Sequence, residues 1–529
     1  MKTITFILLL AACALSAYSQ NITNTLGTGG VFTIKDASHS YLTLSQIDGL
    51  FSLNKNLNLL NTTSSSIGII TKGGNRFIHD FAPAGANGGN TFIGTNSGNF
   101  SMSGSTNNSS CNTGIGCYSL LSLTTGYTNT AVGYSSLFSN TTGSDNTAVG
   151  QQSLTYNTTG TQNTAVGTTS LRNNTTGNLN TAVGYASLWA NTTGTQNTAT
   201  GYQSLYSNTT GTDNTAVGAT SLQYNTTGGN NTAEGYASLN SNTTGDGNTA
   251  VGGQSLYSNT TGGGNIAVGY QSLQNNTTGG GNIAVGCQSL QFNTTGYANI
   301  AVGSSSLVAN TSGAWNIAVG SGSLYRNTTG QNNTVLGYFA GADITTGSNN
   351  IIIGYNASPS SASVSHEITL GDVTATVLRC AVQVIHSLSD ARDKKNIHDL
   401  SLGIDFLMKL KPRLFNWDKR EWYKDNKSDG SKIQKTPTAG FIAQELDEVQ
   451  TKENAEWLNL VLKNNPDKLE AAPGNLLPVM VKAIQELKAE NNDLKAKLDK
   501  FERMQNVLVS EIEQLKLKDA ELTQVKSGN

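Results

Sequence analysis

A segment of the chain repeats with a constant 17-residue period and no interruption, and this period constrains the fold more than any other feature. The motif Asn-Thr-Ala-Val-Gly begins at Asn129 and related motifs return at the same step, so that fifteen units run from Asn112 to Gly354. A looser copy begins at Asn90. A repeat of this length is too short for a pair of helices and is typical of one coil of a β-solenoid. We therefore predict a mainly β protein in which residues 112–354 form a parallel β-solenoid.

Two glycines recur at fixed places in the repeat, at Gly133 and Gly143 in one copy. A glycine at a fixed place indicates a backbone with positive φ or a site that has no room for a Cβ atom. Proline is absent from the array and cannot interrupt the hydrogen bonds between strands. We expect each coil to contain two short extended segments, each followed by a glycine turn.

The apolar content of one unit predicts self-association. Each unit offers only two large recurring apolar side chains, at the places of Val132 and Leu137. Such a small core could hardly offset the conformational entropy that is lost when a whole unit of the repeat is ordered. Three chains side by side would share these side chains in one central core. The sequence thus predicts an obligate oligomer, in which the partner of each chain is another copy of itself, as in a homotrimer.

The repeat motif resembles that of the heads of trimeric autotransporter adhesins, which carry an Asn-Ser-Val-Ala-Ile-Gly type of motif on a left-handed parallel β-roll. The resemblance lies in the motif, since the period of those repeats is usually shorter. It implies a trimeric β-roll and an adhesin-like protein with a cell-surface or glycan ligand.

The outer face of the coils is expected to be rich in Thr, Asn, Ser and Tyr. Stacked Asn and Thr side chains would form hydrogen-bonded ladders. The alternative is a face that binds glycans, or one that orders water as ice-binding solenoids do. The Asn-Thr-Thr triplets also fit the glycosylation sequon. Aspartate is too scarce in the turns for calcium-binding repeats, and neither a metal nor a cofactor is expected.

The composition of the chain changes at Ser389. From this residue onward the chain carries 24 of its 32 Lys and Arg and 24 of its 34 Asp and Glu, whereas residues 112–354 carry only seven charged residues. This contrast predicts a separate C-terminal module after a connector at residues 355–388. The formal net charge of −2 gives no general attraction to nucleic acid. No segment beyond the N-terminus approaches the ~18 apolar residues of a membrane span.

The N-terminus is typical of an export signal. Lys2 precedes an apolar stretch, and Ala17-Tyr18-Ser19 offers small residues at the spacing that signal peptidase requires. We expect a signal peptide at residues 1–19 and a secreted or cell-surface protein. Lipidation of Cys13 within Leu10-Ala11-Ala12-Cys13 is the alternative. Residues 20–111 contain alternating apolar stretches and are expected to form a β-rich cap.

Three ordered motifs mark the C-terminal module: Ser389-Asp-Ala-Arg-Asp-Lys-Lys-Asn-Ile397, Gly440-Phe-Ile-Ala-Gln-Glu-Leu446, and a third that runs from Leu476 to Leu487. Together they resemble the C-terminal intramolecular chaperone of phage tail spikes and endosialidases, a self-cleaving serine peptidase module that myelin regulatory factor also carries. The resemblance implies a module at residues 389–475 that folds as a trimer and promotes assembly of the fibre ahead of it.

The same resemblance implies a Ser-Lys dyad that cuts the chain between Leu388 and Ser389. Ser389 would be the nucleophile and Lys394 its base, because a serine hydroxyl is a weak nucleophile until a nearby base takes its proton. The alternatives are that Ser389 and Asp390 cap a helix while Lys394 faces solvent, or that Asp393 keeps Lys394 protonated and the module does not cleave. A hydrolase acting on external substrates is not expected, because the array lacks paired carboxylates and a His-based triad.

The last segment, residues 476–529, shows a heptad pattern and is expected to form a parallel coiled coil. Such a coiled coil would bring three chains into register before the slower pairing of β-strands. One seam position is filled by Leu477, Ile484, Asn491, Leu498, Gln505, Ile512 and Asp519, and the other by Met480, Leu487, Leu494, Phe501, Leu508, Leu515 and Leu522.

Overall fold

The computed structural model describes residues 31–35, 40–45, 51–53, 59, 61–65, 67–105, 107–375, 389–425, 427–465 and 467–527. The chain divides into two compact units, Met1–Asp213 and Asn214–Asn529. The expected signal peptide, with Cys13, lies outside the described residues, as does Leu388.

The first unit starts with antiparallel strands and continues as a parallel solenoid. Three strands, Val31–Lys35, Ser40–Ser45 and Phe51–Leu53, form a small antiparallel sheet. A hairpin of Ile70–Lys72 and Asn75–His79 follows, and its second strand pairs with the first solenoid strand, Thr91–Ile93. The later strands pair in parallel, each with the next: Thr113–Ile115, Thr130–Val132, Thr147–Val149, Thr164–Val166, Thr181–Val183 and Thr198–Thr200.

The second unit continues the 17-residue period with strands that also pair in parallel and in register. The final strand lies within the stretch expected to be a connector, so the solenoid continues past Gly354. The strands are Thr215–Val217, Thr232–Glu234, Thr249–Val251, Ile266–Val268, Ile283–Val285, Ile300–Val302, Ile317–Val319, Thr334–Leu336, Ile351–Ile353 and Ile368–Leu370.

The predicted parallel β-solenoid of 17-residue repeats is confirmed, with about 15 turns. The expectation of two extended segments per coil was wrong, because each repeat contains one strand of three residues. After the strand the backbone passes through left-handed positions, such as Ser135 with φ 52° and Leu137 with φ 50°. These conformations curl the chain into turns and leave no room for a second strand.

The two fixed glycines meet the two requirements inferred from the sequence. Gly133 has φ 132°, and a Cβ atom there would lie 2.5 Å from the carbonyl oxygen of Gly150 in the next coil. Gly143 has no positive φ, but a Cβ atom on it would collide with Oδ1 of Asn140 and with the carbonyl oxygen of Gly160. Neighbouring coils therefore approach too closely at both places for any other residue.

Each coil has its own interior, and this changes the expected role of Val132. Ala131, Ser136 and Leu137 are fully buried, as are the residues at the same places of most other coils. Val132 lies on the opposite face of the strand and is only partly buried. The expectation that Val132 and Leu137 face the same core was wrong, because alternate residues of a strand point to opposite faces.

Two columns of buried asparagines fill the rest of the interior. The Nδ2 atom and the backbone N–H of Asn129 both donate to Oδ1 of Asn112, at 3.0 Å. In the other column, Nδ2 of Asn157 donates to Oδ1 of Asn140 at 2.7 Å, and also to a glycine carbonyl of its own coil at 2.9 Å. The first column contains Asn112, Asn129, Asn146, Asn163, Asn180 and Asn197 in the first unit and Asn214, Asn231, Asn248, Asn265, Asn282, Asn299, Asn316, Asn333 and Asn350 in the second. The other contains Asn140, Asn157, Asn174, Asn191 and Asn208, and Asn225, Asn242, Asn259, Asn276, Asn293, Asn310 and Asn327.

The asparagine ladders expected from the sequence are therefore present, but they lie inside the coils and not on their outer face. Because a buried amide is costly unless its donors and acceptors are paired, each ladder holds together only while its members stay in register. The Asn-Thr-Thr triplets begin at the asparagines of the second column, such as Asn140, which are fully buried. These side chains are not accessible for glycosylation in the folded coil.

The C-terminal module follows the solenoid in the second unit. Its helices are α1 (Ile404–Leu407), α2 (Ala443–Lys452) and α3 (Leu477–Ser527). Two short antiparallel pairs join Arg413–Phe415 to Thr438–Gly440 and Val461–Leu462 to Glu470–Ala471. Short 3₁₀ turns lie at Ala391–Asp393, Arg420–Trp422, Glu456–Leu458 and Pro473–Leu476. None of the described helices is both long enough and apolar enough to cross a membrane.

The N-terminal hairpin carries a buried histidine at the start of the solenoid. His79 is nearly fully buried between the rings of Phe92 and Phe100, at centroid distances of 4.8 and 4.7 Å. Its Nε2 donates to the carbonyl of Ser97 at 2.8 Å, and its Nδ1 accepts from the N–H of Phe81 at 3.3 Å. Burial lowers the pKa of His79, because the charged imidazolium is poorly solvated there.

We predict that replacing Asn174 by Ala lowers the free energy of local opening of the neighbouring coils by about 2–4 kcal/mol, because partners in both adjacent coils lose a hydrogen bond. Nδ2 of Asn174 donates to Asn157, and its Oδ1 accepts from Asn191. Hydrogen exchange of peptides from these coils measures the effect. Asn173→Ala is the matched control, because Ala190 occupies that place in the next coil. Equal protection in the two variants would contradict the role assigned to the ladder.

We predict that the hairpin loses stability as the pH falls below about 6.5, the usual pKa of histidine. The pKa of His79 is lowered in the folded state, so the unfolded state binds the proton more tightly. The stabilisation is therefore complete above the unfolded pKa and is lost below it. The measurement is the opening free energy of peptides around His79 by hydrogen exchange at several pH values, corrected for intrinsic rates. Peptides from residues 147–200, which contain no histidine, are the internal control. A His79→Gln variant with the same pH dependence would disprove this explanation.

Candidate functional site

The structure brings Ser389 and Lys394 into contact at the start of the C-terminal module. A 3₁₀ turn, Ala391–Asp393, separates them and folds the lysine side chain back toward the serine. Nζ of Lys394 donates a hydrogen bond to Oγ of Ser389. The structure thus brings together the two residues that the sequence motif had paired, with the lysine amine as the donor of their hydrogen bond.

The turn between them is held by Asp390 and not by Ser389. The Asp390 carboxylate accepts from the backbone N–H of Arg392 at 2.9 Å and pairs with its guanidinium at 2.6 Å. These hydrogen bonds lower the pKa of Asp390, with the side chain of Arg392 as the main cause. The expectation that this stretch caps a helical turn thus holds for Asp390, while the Ser389 hydroxyl contacts the lysine.

One alternative from the sequence was that Asp393 keeps Lys394 protonated. Asp393 forms no ion pair among the described residues. Ser389, Asp393 and Lys394 are all exposed in the single chain. A lysine acts as a base when its surroundings disfavour the charged ammonium, and burial is the usual means. The single chain brings the serine hydroxyl and the lysine amine together but does not enclose them.

The second sequence motif forms the strand and helix at the centre of the module. Gly440 ends the strand that pairs with Arg413–Phe415, and it lies under the ring of Phe415. Arg413 in turn binds Glu445 of α2 through two hydrogen bonds, from Nε at 2.9 Å and from Nη2 at 2.5 Å. This pair lowers the pKa of Glu445. The motif therefore joins a strand to a helix and takes no part in the Ser389–Lys394 contact.

The third motif starts α3 and packs on the second. Leu476 and Val479 join one hydrophobic cluster with Leu446 and Ala443 of α2. The full cluster comprises Phe406, Leu410, Ala443, Leu446, Ala455, Leu458, Leu460, Val461, Leu476 and Val479. The base of α3 is thus anchored in the module, through a face that is different from the heptad seam.

Glu486 adds a polar anchor that sequence reasoning missed. The residue before α1 is Gly403, which has no side chain to cap the helix. Oε2 of Glu486 accepts from the backbone N–H of Ile404 at 2.8 Å and takes the place of the missing cap. A Cβ atom on Gly403 would collide with this carboxylate. The glycine immediately before this short helix could have indicated that the cap comes from elsewhere in the chain, but it does not identify Glu486 as its source.

The heptad seam of α3 is exposed along its whole length. Its apolar members expose between 41% and 68% of their surface, whereas Val479 and Ala483 on the anchoring face are buried. The apolar seam residues are Leu477, Met480, Ile484, Leu487, Leu494, Leu498, Phe501, Leu508, Ile512, Leu515 and Leu522. The predicted continuous helix is present, and no described part of the chain covers the seam.

The first unit carries a shallow open groove on its outer surface. Its volume is about 360 Å³, and Tyr118, Tyr134, Phe138 and Tyr156 contribute aromatic rings to its lining. Ser135, Gln152 and Thr155 add polar groups at its edge. Aromatic faces beside uncharged hydrogen-bonding groups are suited to small polar ligands with an apolar side.

A family model described as the chaperone of endosialidase matches residues 389–454. The match begins at Ser389 and includes the first two sequence motifs. No curated protein and no solved structure shows significant similarity to the chain. The resemblance of the repeats to adhesin heads therefore stays a prediction. The solenoid and the C-terminal segment together fit a trimeric fibre-like protein. Residues 389–454 are thus similar to the chaperone of endosialidase, in agreement with the resemblance that their motifs had indicated.

Proposed function

We propose that this chain is an exported, trimeric, fibre-like surface protein whose C-terminal module drives assembly and then cleaves the chain at Leu388–Ser389. The observation that carries the proposal is the hydrogen bond from Lys394 to Ser389 at the first residues of a chaperone-of-endosialidase segment. The protein would be a self-processing serine endopeptidase that acts only on its own chain.

The chemistry follows from the position of the serine beside the bond to be cut. Neutral Lys394 takes the hydroxyl proton of Ser389, and Oγ attacks the carbonyl carbon of Leu388. The C–N bond breaks, the amide nitrogen of Ser389 takes a proton to become a free amine, and Leu388 is left as an ester on Oγ. Water then hydrolyses the ester, which gives a Leu388 carboxylate and restores the hydroxyl of Ser389.

Assembly would make the dyad reactive. Because Ser389 and Lys394 are exposed in the single chain, the burial that favours a neutral lysine has to come from another copy. Cleavage would then follow trimer formation and would not precede it. This order suits a chaperone, since the module is released only after the chains ahead of it are aligned.

Helix α3 would supply the alignment. Its exposed apolar seam has the heptad spacing of a coiled coil, while Val479 and Leu476 fix its base to the module. Asn491 and Gln505 lie in the seam, where polar residues set register at some cost in stability. Three copies joined through this seam would hold the preceding solenoids parallel.

The prediction is that the full-length protein yields a fragment beginning at Ser389, whereas Ser389→Ala and Lys394→Ala stay intact. Lys395→Ala is the matched control and should cleave as the unaltered protein does. The measurement is gel electrophoresis with N-terminal sequencing. Cleavage in Ser389→Ala, or a fragment with another first residue, would refute the dyad. Intact unaltered trimers would indicate a permanent clamp.

The second candidate is a glycan-binding solenoid with a C-terminal clamp that does not cleave, and the aromatic groove around Tyr134 favours it. Sugar rings present an apolar face and a polar rim, which match the rings and amides of this groove. Ice binding is the other form of this alternative, and none of the described contacts favours it over glycan binding.

We predict that, if the groove binds glycan, Tyr134→Ala and Tyr156→Ala weaken binding on a glycan array by at least about tenfold, which corresponds to about 1.4 kcal/mol. Tyr236→Ala, an exposed tyrosine of the second unit, is the matched control. No binding by the unaltered protein would eliminate this candidate and leave the fibre proposal in place.

A further inference from the structure

The outward face of the strands in the second unit is aliphatic over seven consecutive coils. In each strand the middle residue points into the coil and the two flanking residues point out. From Ile266–Val268 to Ile368–Leu370, these flanking residues are aliphatic at every place except Thr334. We call these two columns the aliphatic face: Ile266, Val268, Ile283, Val285, Ile300, Val302, Ile317, Val319, Leu336, Ile351, Ile353, Ile368 and Leu370, with Thr334.

The aliphatic face is open to solvent in the single chain. Nine of its aliphatic side chains expose between 36% and 67% of their surface, and the others are at least partly exposed. No described element of the chain packs across these columns. An apolar surface that is contiguous over this many coils marks an interaction site.

The first three coils of the same unit differ from the aliphatic face. Their flanking places hold Thr215, Thr232 and Thr249 in one column, and Glu234 interrupts the other. Glu234 nevertheless lies in a strand that pairs in register on both sides. A carboxylate at this place is therefore compatible with the coil itself, but it would be costly to bury against an apolar partner.

A second copy of the chain fits the aliphatic face better than an unrelated partner. The face carries no charge and is aliphatic at every place but Thr334, so the same columns from another chain are complementary to it. Helix α3 of the same unit exposes a heptad seam, which is typical of helices that bind their own copies. Two unpartnered apolar faces in one unit would both be covered by the same partner.

We infer that the aliphatic face is a self-association interface, in which copies pack their sheets against each other in parallel from Ile266 to Leu370 and separate at Glu234. The inference rests on the proposed function, since it assumes the trimer, and it assigns the surface through which the solenoids meet. The interface forms between finished coils, because each coil has its own interior of Leu, Ala and Asn.

The first experiment measures distances between copies with spin labels in the full-length chain, in a background in which the native cysteines are replaced by serine. A label at Ile300→Cys lies on the aliphatic face, and a label at Thr295→Cys lies on an exposed turn. We expect a short distance between copies at residue 300, since facing sheets pack about 10 Å apart. The distance at residue 295 should be clearly longer.

The second experiment introduces a glutamate, the residue type found at position 234, into the aliphatic face. Val302→Glu should lengthen or abolish the short distance at residue 300, while Val217→Glu, at the same place in a coil outside the face, should leave it unchanged. Circular dichroism checks that both variants keep their coils, as Glu234 indicates they will. Sedimentation of each sample gives the number of chains.

The outcomes separate this inference from the proposed function. Trimers with equally long distances at residues 300 and 295 would overturn the interface and leave the proposed function standing. A monomeric full-length chain would overturn both. Trimers whose distance at residue 300 is short, and is lost in Val302→Glu but kept in Val217→Glu, support the interface.

Discussion

The solenoid depends on the hydrogen bonds between buried asparagines of successive coils. A short coil with one leucine and one alanine inside has little apolar surface to bury, and the two amide columns supply the remaining contacts. Amides inside a column of one unit are paired with the coil before, the coil after and a nearby glycine carbonyl, whereas Oδ1 of Asn327, at the end of the second column, has no partner among the described residues. Such an interior is directional and tolerates little slippage, because a shift of one residue would leave every amide in the column unpaired.

The period and the glycines were sufficient to predict the solenoid, its parallel strands and its 17-residue register, because these depend on spacing. The side on which each residue lies was harder to predict. Val132 was assigned to the interior by its apolarity and Asn129 to the surface by its polarity, yet the structure reverses both. A polar side chain is buried when an identical one lies one coil away to pair with it, and composition does not reveal that pairing. The same holds for the cap that Glu486 provides to α1, because Glu486 lies 82 residues after Ile404, whose N–H it accepts.

The contact between Ser389 and Lys394 was predictable from the motif, but its surroundings were not. The motif order located Ser389 and Lys394, and the turn that joins them follows from Asp390, whose side chain holds the backbone of Arg392. What surrounds the dyad in an assembly is not encoded in local spacing. The coils and the module core are satisfied internally, while the aliphatic face and the helix seam stay uncovered in the single chain.

The sameness of the coils has a consequence for the evolution of the gene. Each coil binds its neighbours through the same amides and the same glycine contacts, so whole units can be gained or lost by unequal recombination without creating a foreign junction. A deletion of one whole unit would let the flanking amides meet directly, whereas a deletion one residue shorter would break both columns. The length of the solenoid could thus vary in whole steps of one coil. The second column would still end at Asn327, because Ile344 occupies the place of the next asparagine.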